Sequence, residues 1–460
     1  MKPVKSATEW LDNQKASSFH YLLIVLSFFV LVFDGYDSQI LSYILPQAIK
    51  EWHLTPMVAG SMASYGFIGL IIGTTLFGML ADSMGRKKAL VIAIADFAVF
   101  SGVAYFAPSF QVFCAMRLLA GIGMGGAMPI TIALVSEYAP AKIRGKAVTA
   151  MFSGFTSGWI LAAVAAMGIV PTFGWRVVLL MGVLPIIYIP ILIKFLPESI
   201  RFLAAKGRVQ DAIIELRKIE RAIGVKPIEW KPEHFVVVQK QAKGSIKDLF
   251  TPQFALMTIL ISITYFFNLL TVYGLSSWLP TLLVKKGFSL VKSYSFGMTQ
   301  AIMASIGAIV IGSCIDAFGR KKTMVPAYIL GAISIVFFGK VNSYAAMMVA
   351  AGFTGFFIMG CQTAQHVITG ETFPTQIRST GTGFVYSIGR VGSLVAPLLG
   401  GAMVAAGFTF SSFFLVFAIF PVICALTFAL YKVSNQGETL EEFTAELTGR
   451  EVGANVSEGA

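Results

Sequence analysis

The amino-acid sequence predicts an all-α membrane protein in which twelve transmembrane helices form two pseudo-symmetric bundles of six. Three observations lead to this fold class: the composition, twelve long apolar stretches and an internal repeat. Of the 460 residues, 56% are hydrophobic and 13% are charged, whereas about 25% are charged in ordinary soluble domains. Because so few charges cannot cover a water-soluble surface, the composition excludes a soluble globular enzyme.

The apolar stretches are long enough to cross a bilayer, which takes about 20 predominantly apolar residues per helix. We place the twelve spans at residues 20–43, 57–81, 89–107, 110–136, 147–170, 175–196, 254–281, 293–315, 323–341, 344–370, 380–403 and 408–431. The first stretch is longer than the roughly 7–15 apolar residues of a secretory signal peptide. It is therefore expected to remain in the protein as a transmembrane helix.

Lysine and arginine residues outside the spans set the expected orientation, because cytoplasmic loops carry most of them. Arg176, Lys194 and Lys340 lie within two residues of a span end and are counted with the side at which that end lies. With both termini on one side, 27 of the 35 basic residues then lie on that side, six lie on the other, and Arg117 and Arg390 fall deep within spans. Both termini are therefore expected in the cytoplasm, with the protein in the cytoplasmic (inner) membrane. The basic loops also account for the net charge of +12 without a nucleic-acid partner.

A long polar interruption divides the twelve spans into two groups of six. The expected organisation is a cytoplasmic segment at 1–19, a bundle at 20–196, a central loop at 197–250, a second bundle at 251–432 and an acidic cytoplasmic tail at 433–460. Within the loop, apolar residues recur at helical spacing between Gly207 and Gly224, which predicts an amphipathic helix. We expect this helix to tether the two bundles on the cytoplasmic face.

The four cysteines give no sign of a disulfide framework or a zinc site. Cys114, Cys314, Cys361 and Cys424 lie in apolar stretches without paired spacing. Disulfide frameworks and zinc sites both require such spacing. The sequence therefore predicts no metal and no cofactor.

Two motifs recur at the same offset of 234 residues. The segment GMLADSMGRKK at 78–88 matches GSCIDAFGRKK at 312–322, and SEYAPAKIRG at 136–145 matches GETFPTQIRS at 370–379. A shared offset indicates duplication of a six-helix unit. Transporters are commonly built from such repeats, with a substrate site near the membrane midplane at the repeat interface.

The repeated pattern G-x-x-x-D-x-x-G-R-K resembles the signature of the major facilitator superfamily. The segments PESIR at 197–201 and GETLEE at 437–442 resemble its sugar-porter-like branch, whereas DGYD at 34–37 is similar to the D-G-x-D motif of the aromatic acid:proton symporters. The resemblance implies a symporter that works by alternating access. It would import an aromatic acid such as a hydroxybenzoate or benzoate, driven by the proton gradient.

Three charged residues within spans are candidates for proton coupling: Asp34, Asp37 and Arg117. An ionised aspartate at the bilayer centre costs about 2.5–3.5 kcal/mol on insertion scales, and the spacing of the two aspartates places them on one helix face. They could exchange a proton near neutral pH or form a structural pair with an intramembrane arginine. Arg117 could be a countercharge for either aspartate or a direct substrate ligand. The resemblance assigns the carboxylates to proton coupling and substrate transport.

The candidate substrate-binding residues come from spans seven, ten and eleven. They are Arg390, Tyr386, His366, Gln362, Asn268 and Tyr265. A guanidinium can bind a carboxylate through two hydrogen bonds, and an aromatic ring can stack on an aromatic acid. Arg390 could equally be a snorkelling arginine, His366 a satisfied structural histidine, and the tyrosines anchors at the membrane interface.

The repeated loops supply candidate gating residues at the cytoplasmic ends of spans. They are Asp82, Arg86, Glu137 and Arg144 in the first half and Asp316, Arg320, Glu371 and Arg378 in the second. The superfamily resemblance implies charge networks that break and reform during transport. Anchoring by positive charge alone would explain the basic members but not the acidic ones.

The predicted partners are a small aromatic acid, protons and the lipid bilayer, with the protein acting as a monomer. The alternative within transport is a sugar or other organic-solute porter, which the PESIR and GETLEE segments favour. A receptor would need an attached signalling domain, and a membrane enzyme would need a metal-ligand or nucleophile motif. Neither feature is found in the sequence, so we predict that the protein is not an enzyme.

Overall fold

The computed structural model describes residues 6–225, 227–235, 245–374 and 377–430. Twelve helices in this part of the chain are long and apolar enough to cross a membrane. They are Ser18–Glu51, Pro56–Met84, Arg86–Phe106, Phe110–Tyr138, Arg144–Phe173, Val177–Phe195, Ala255–Lys285, Leu290–Phe318, Arg320–Lys340, Tyr344–Thr372, Arg378–Ala405 and Phe410–Leu430. We call them spans one to twelve. They confirm the all-α fold with twelve transmembrane helices.

Most spans begin and end within a few residues of the predicted limits, but span one continues to Glu51 instead of ending at 43. Its 34 residues pass through Pro46 and include the polar end Lys50 and Glu51. The extension carries the helix beyond its apolar stretch. Hydrophobicity alone therefore does not predict its end.

Two spans contain a break in the regular α-helix. Span six consists of Val177–Leu180, a 3₁₀ turn at Met181–Val183, and Leu184–Phe195. Span ten consists of Tyr344–Thr354, a π-helical turn at Gly355–Met359, and Gly360–Thr372. π-Helical turns occur frequently at functional sites. Span three also ends in a 3₁₀ turn, at Ala104–Phe106.

The chain divides into two compact units, residues 1–54 with 62–239 and residues 55–61 with 240–460. In the first unit, spans one and five pack closely along each other. A Cβ atom at Gly35 would lie 2.1 Å from the carbonyl oxygen of Phe155. The glycine of the DGYD segment therefore lets the two helix backbones touch beside Asp34 and Asp37.

The first unit also includes most of the central loop. Its helix Val209–Ile223 buries Leu216 and Ile219 and ends at Gly224, whose φ of +77° favours glycine. Shorter helices lie at Ala7–Asp12, Ile200–Ala205 and Pro232–Phe235. In the second unit, a 3₁₀ helix at Ile246–Phe250 precedes span seven. The acidic tail and its GETLEE segment lie outside the described residues.

The internal repeat is visible in the backbone. Gly85 and Gly319, 234 residues apart, are the N-caps of spans three and nine, with φ/ψ of 102°/157° and 87°/161°. Few residues other than glycine adopt such positive φ values. The two GRKK motifs therefore enter equivalent helices through the same backbone turn.

Candidate functional site

A buried ion pair lies within the first unit. In span four, Arg117 Nη1 donates to Asp37 Oδ1 at 3.0 Å and Nη2 donates to Asp37 Oδ2 at 2.5 Å. Arg117 is 0% exposed and Asp37 is 2% exposed. Because neither charge reaches water, each depends on the other for its stability. This geometry is that of a countercharge to Asp37.

Neighbouring helices fix the position of this pair. Arg117 Nη1 also donates to Ser101 Oγ of span three at 3.1 Å, and a Cβ at Gly182 would lie 3.7 Å from Asp37 Oδ1. The Tyr36 hydroxyl donates a hydrogen bond to the Val178 carbonyl at 2.7 Å. The break in span six therefore packs directly beside the ion pair. Asp34, one turn before Asp37, is also buried.

A third intramembrane carboxylate, Asp96 of span three, was not among the predicted residues. Its Oδ2 atom is buried, and its carboxylate lies against the backbone of Gly123. A Cβ at Gly123 would lie 2.7 Å from this oxygen, which shows that Asp96 faces the glycine-rich part of span four. The residue could have been found by the rule that singled out Asp34 and Asp37, because any acidic residue within a span is uncommon.

Three aromatic side chains form a cluster in the second unit. The Tyr265 hydroxyl lies 2.8 Å from His366 Nδ1, and the Tyr265 and Tyr386 ring centroids are 5.1 Å apart. Tyr386 donates to the His366 carbonyl at 3.3 Å. Spans seven, ten and eleven thus bring together three of the predicted substrate residues. Gly389 makes room for this arrangement, because a Cβ there would lie 2.1 Å from Tyr265.

Arg390 lies close to this cluster. It is twelve residues after the start of span eleven at Arg378 and fifteen before its end at Ala405, so it is not near a helix end. Its charge acts on both Tyr265 and His366. In the part of the chain that the structure describes, Arg390 makes no ion pair and no hydrogen bond.

A second polar group in this unit consists of neutral side chains. Asn268 Nδ2 donates to the Tyr328 hydroxyl at 3.2 Å and to the Ile358 carbonyl, in the π-helical turn, at 3.4 Å. Tyr328 donates in turn to Gln365 Oε1 at 3.1 Å. Tyr328 and Gln365 were not among the predicted residues. Gln362, which was predicted, is half-buried and makes no hydrogen bond with described residues.

At the end of the first unit where spans two and three meet, a polar network joins the repeated loops to the PESIR segment. Glu198 Oε1 accepts from the backbone N–H of Arg86 at 2.8 Å, and Arg86 Nη1 donates to Ser199 Oγ at 2.9 Å. Ser199 donates to Glu137 Oε2 at 2.6 Å. Glu137 is therefore linked to Arg86 through the Ser199 hydroxyl, and it forms no direct ion pair with a basic residue in the part of the chain that the structure describes.

In the second unit, the corresponding arginine and glutamate form a direct ion pair. Arg320 Nη2 donates to Glu371 Oε2 at 2.6 Å. Arg144 donates to the Ala139 carbonyl at 3.2 Å, and Arg378 donates to the Phe373 carbonyl at 3.2 Å. The two carbonyls, like the two arginines, are 234 residues apart. Arg144 additionally pairs with Asp12 of the amino-terminal helix. The remaining candidates, Asp82 and Asp316, have exposed side chains.

No group of three or more histidine, cysteine or acidic residues in the described ranges could hold a metal ion. The four cysteines are free thiols. Charged pairs and aromatic rings are thus the chemistry that the two units offer.

The known proteins that this chain resembles in sequence are transporters. Residues 17–447 match the family described as "Sugar (and other) transporter". The niacin transporter NiaP of Acinetobacter baylyi is 33% identical over 94% of this chain and 98% of its own length. A gallate transporter of Pseudomonas putida is 34% identical over 87% and 89%. The 4-hydroxybenzoate transporter PcaK of Pseudomonas aeruginosa is 30% identical over 87% and 90%.

Solved structures show the same fold. An inward-open structure of the xylose transporter XylE from E. coli aligns with a TM-score of 0.75 at 19% identity, over 93% of this chain and 99% of that chain. A bacterial homologue of the lysosomal transporter Spinster aligns with a TM-score of 0.67 at 15% identity, over 90% and 97%. At these identities the likeness concerns the fold.

Proposed function

Because this chain belongs to the sugar (and other) transporter family, within the major facilitator superfamily, we propose that it imports a small aromatic carboxylate together with protons. It is a multi-pass membrane transporter and not an enzyme. The proposed substrate is an aromatic ring bearing a carboxylate, such as a benzoate, a hydroxybenzoate or a pyridine carboxylate. On the lysine and arginine count, we place both termini in the cytoplasm.

The observation that carries the substrate proposal is Arg390. A guanidinium in the middle of a transmembrane helix needs an anionic partner, and the described residues supply none. A substrate carboxylate would fit this need through two parallel hydrogen bonds. The rings of Tyr265 and Tyr386 would offer stacking surfaces beside it. The relatives named after gallate, benzoate and 4-hydroxybenzoate support this class.

The proposed proton site is the pair of Asp37 and Arg117. Protonation of Asp37 would remove one charge of the pair and free the guanidinium from its bidentate contact. The helices that hold the pair, spans one, three and four, would then be released to rearrange. Asp34 remains the second candidate carrier on the same span.

The alternative function is transport of a sugar or another organic solute. The family description and the PESIR network support it, and the amides of Asn268 and Gln365 are groups that bind hydroxyls. An uncompensated arginine does not suit a neutral sugar. We therefore favour the aromatic acid.

Uptake into proteoliposomes tests the proposal. The purified protein would be offered radiolabelled benzoate, 4-hydroxybenzoate, nicotinate, gallate and xylose, with an inward proton gradient and with or without a protonophore. We expect at least one aromatic acid to accumulate, and accumulation to stop with the protonophore. Accumulation of xylose alone would overturn the substrate class. Accumulation of an aromatic acid that is unaffected by the protonophore would overturn proton coupling.

A further inference from the structure

A cavity of about 540 Å³ lies at the cytoplasmic ends of spans two, three and six in the first unit. Its walls include Lys87 and Lys88 at the start of span three, and Ile193 near the end of span six. The central-loop helix Val209–Ile223 closes it with Ile214. None of the roles assigned above uses this cavity.

The acidic side chains at the cavity already have partners. Glu198 accepts from the backbone N–H groups of Arg86, Lys87 and Ser199. Asp211 pairs with Arg208 at 2.7 Å, and Glu215 pairs with Lys218 at 2.8 Å. The carboxylates therefore have little remaining capacity to hold an added cation.

The two lysines differ from these acids. Lys87 is half-buried and Lys88 is exposed, and neither ammonium group forms an ion pair with any residue that the structure describes. The charges of Glu215 and Glu198 act on Lys87 without a close ion pair. Two adjacent ammonium groups that are not held in ion pairs, at the mouth of a cavity, can still attract an anion. A phosphate group, with several acceptor oxygens, suits two lysines at once.

Apart from these charged residues and Arg208, the wall is apolar and open to the outside. Ile92, Ile193 and Ile214 are 44%, 52% and 53% exposed. The first two belong to spans, so their side chains lie where hydrocarbon chains would run. A ligand that meets both walls has a charged phosphate at one end and apolar chains at the other.

We propose that this cavity binds the headgroup of an anionic phospholipid. The phosphodiester lies against Lys87 and Lys88, and the acyl chains run along Ile92 and Ile193. Basic pockets between transmembrane helices on the cytoplasmic side are suited to such headgroups. Free phosphate shares the anionic chemistry but would leave the apolar wall unused. The proposal does not depend on the transported substrate.

The test is native mass spectrometry of the purified full chain, titrated with phosphatidylglycerol or phosphatidylethanolamine. The variant is Lys87→Gln with Lys88→Gln. The matched control is Lys321→Gln with Lys322→Gln, which changes the repeated motif of the second unit, where both lysines are exposed. We expect the first variant to lose affinity for phosphatidylglycerol by about tenfold or more. The control should bind like the unmodified protein.

A second variant keeps both charges and fills the cavity. Ile214→Trp should also weaken phosphatidylglycerol binding, and thermal unfolding of each variant checks that it is folded. Equal losses in the two lysine variants would show general charge attraction and overturn the proposal. Equal binding of phosphatidylethanolamine, or displacement of the lipid by millimolar inorganic phosphate, would also overturn it.

Discussion

The two units share their repeated loop motifs but differ in the chemistry within their helices. The first unit buries the Asp37 and Arg117 pair. The positions related by the 234 shift in the second unit are Thr271 and Ala351, both buried, and Thr271 bonds a carbonyl of its own helix. The second unit instead carries Arg390, which has no ion-pair partner among the described residues, beside an aromatic cluster. The proposed proton site and the proposed substrate site therefore belong to different units.

The polar networks at the repeated loops show the opposite relation, since the residues are repeated but their contacts with other described residues differ. Glu371 binds Arg320 directly, whereas Glu137 reaches Arg86 only through Ser199. In the first unit, the central loop follows span six directly. The PESIR segment of that loop inserts a hydroxyl between the two charges. A repeated motif therefore predicts the residues of a network better than their partners.

The largest expected effect is that of Asp37→Asn, which removes the titratable group and keeps its shape. We expect proton-driven accumulation to be lost, so that the internal and external substrate concentrations become equal. Counterflow exchange, which needs no net proton movement, is expected to persist. The measurement is uptake into proteoliposomes with an imposed pH gradient.

The matched control is Ser101→Ala, which removes another hydrogen bond of Arg117 but no titratable group. This variant should still accumulate substrate. Asp34→Asn is expected to fail in the same assay if both carboxylates are needed. If Asp37→Asn still concentrates substrate and loses that ability with a protonophore, the proton is carried elsewhere, and Asp96 and His366 become the next candidates.

A roughly tenfold increase in the apparent KM for an aromatic acid is expected for Arg390→Lys. The ammonium keeps the charge but cannot form two parallel hydrogen bonds to a carboxylate. The loss of one charge-assisted bond, about 1.5 kcal/mol, raises the apparent KM for an aromatic acid by about tenfold. Arg221→Lys, at an exposed position of the central-loop helix, serves as the control. An unchanged KM would contradict direct binding of the carboxylate.

A stability difference is expected between Glu137→Gln and Glu371→Gln. Glu137 is 6% exposed and hydrogen-bonded to Ser199 and to the Arg201 backbone. Replacing it should lower the free energy of unfolding by roughly 1.5–3 kcal/mol. The Glu371 side chain is 42% exposed, so breaking its ion pair should cost about 0.2–1 kcal/mol. Midpoints of thermal unfolding in detergent measure the difference, and equal midpoints would show that the two networks are energetically alike.

The smallest effects are expected for the two tyrosines, beginning with Tyr265→Phe, which removes the hydroxyl next to His366 and keeps the ring. A neutral hydrogen bond contributes about 1 kcal/mol, so we expect an apparent affinity about fivefold lower for the aromatic acid. Tyr386→Phe, whose longer bond reaches the His366 carbonyl, should have a smaller effect. The reverse order would indicate that Tyr386 is the main contact of the substrate.

The sequence predicts the fold well because the apolar lengths of the helices and the 234-residue offset are local properties of the chain. The amphipathic helix between Gly207 and Gly224 was predictable for the same reason. Its apolar spacing and its terminal glycine are sufficient signals. The end of span one was not predictable, because the helix continues through Pro46 beyond the apolar stretch.

The site was predicted in part. Arg117 could be expected to pair with a carboxylate, but the choice of Asp37 depends on how spans one and four pack. Tyr328 and Gln365 were missed because their roles arise from contacts with Asn268 and with each other. Neither residue has a charge that would make it unusual within a membrane. Asp96 does carry such a charge and could have been found.

The π-helical turn at Gly355–Met359 has a consequence for the chain's tolerance of deletion. Removing one residue from a transmembrane α-helix rotates everything after it by about 100°, which would turn Gln365 and His366 away from their partners. A π turn contains about one residue more than an α turn. Deleting one residue there would convert the turn to an α-helix and leave the following helix in its original direction.

Span four has the same length as span ten, 29 residues, but is α-helical throughout. A deletion within Gly121–Gly125, the equivalent stretch of span four, would rotate every residue that follows it. The two spans therefore differ in their tolerance of a one-residue deletion. Span ten can lose a residue in its π-helical turn and keep the direction of the helix that follows, whereas span four cannot.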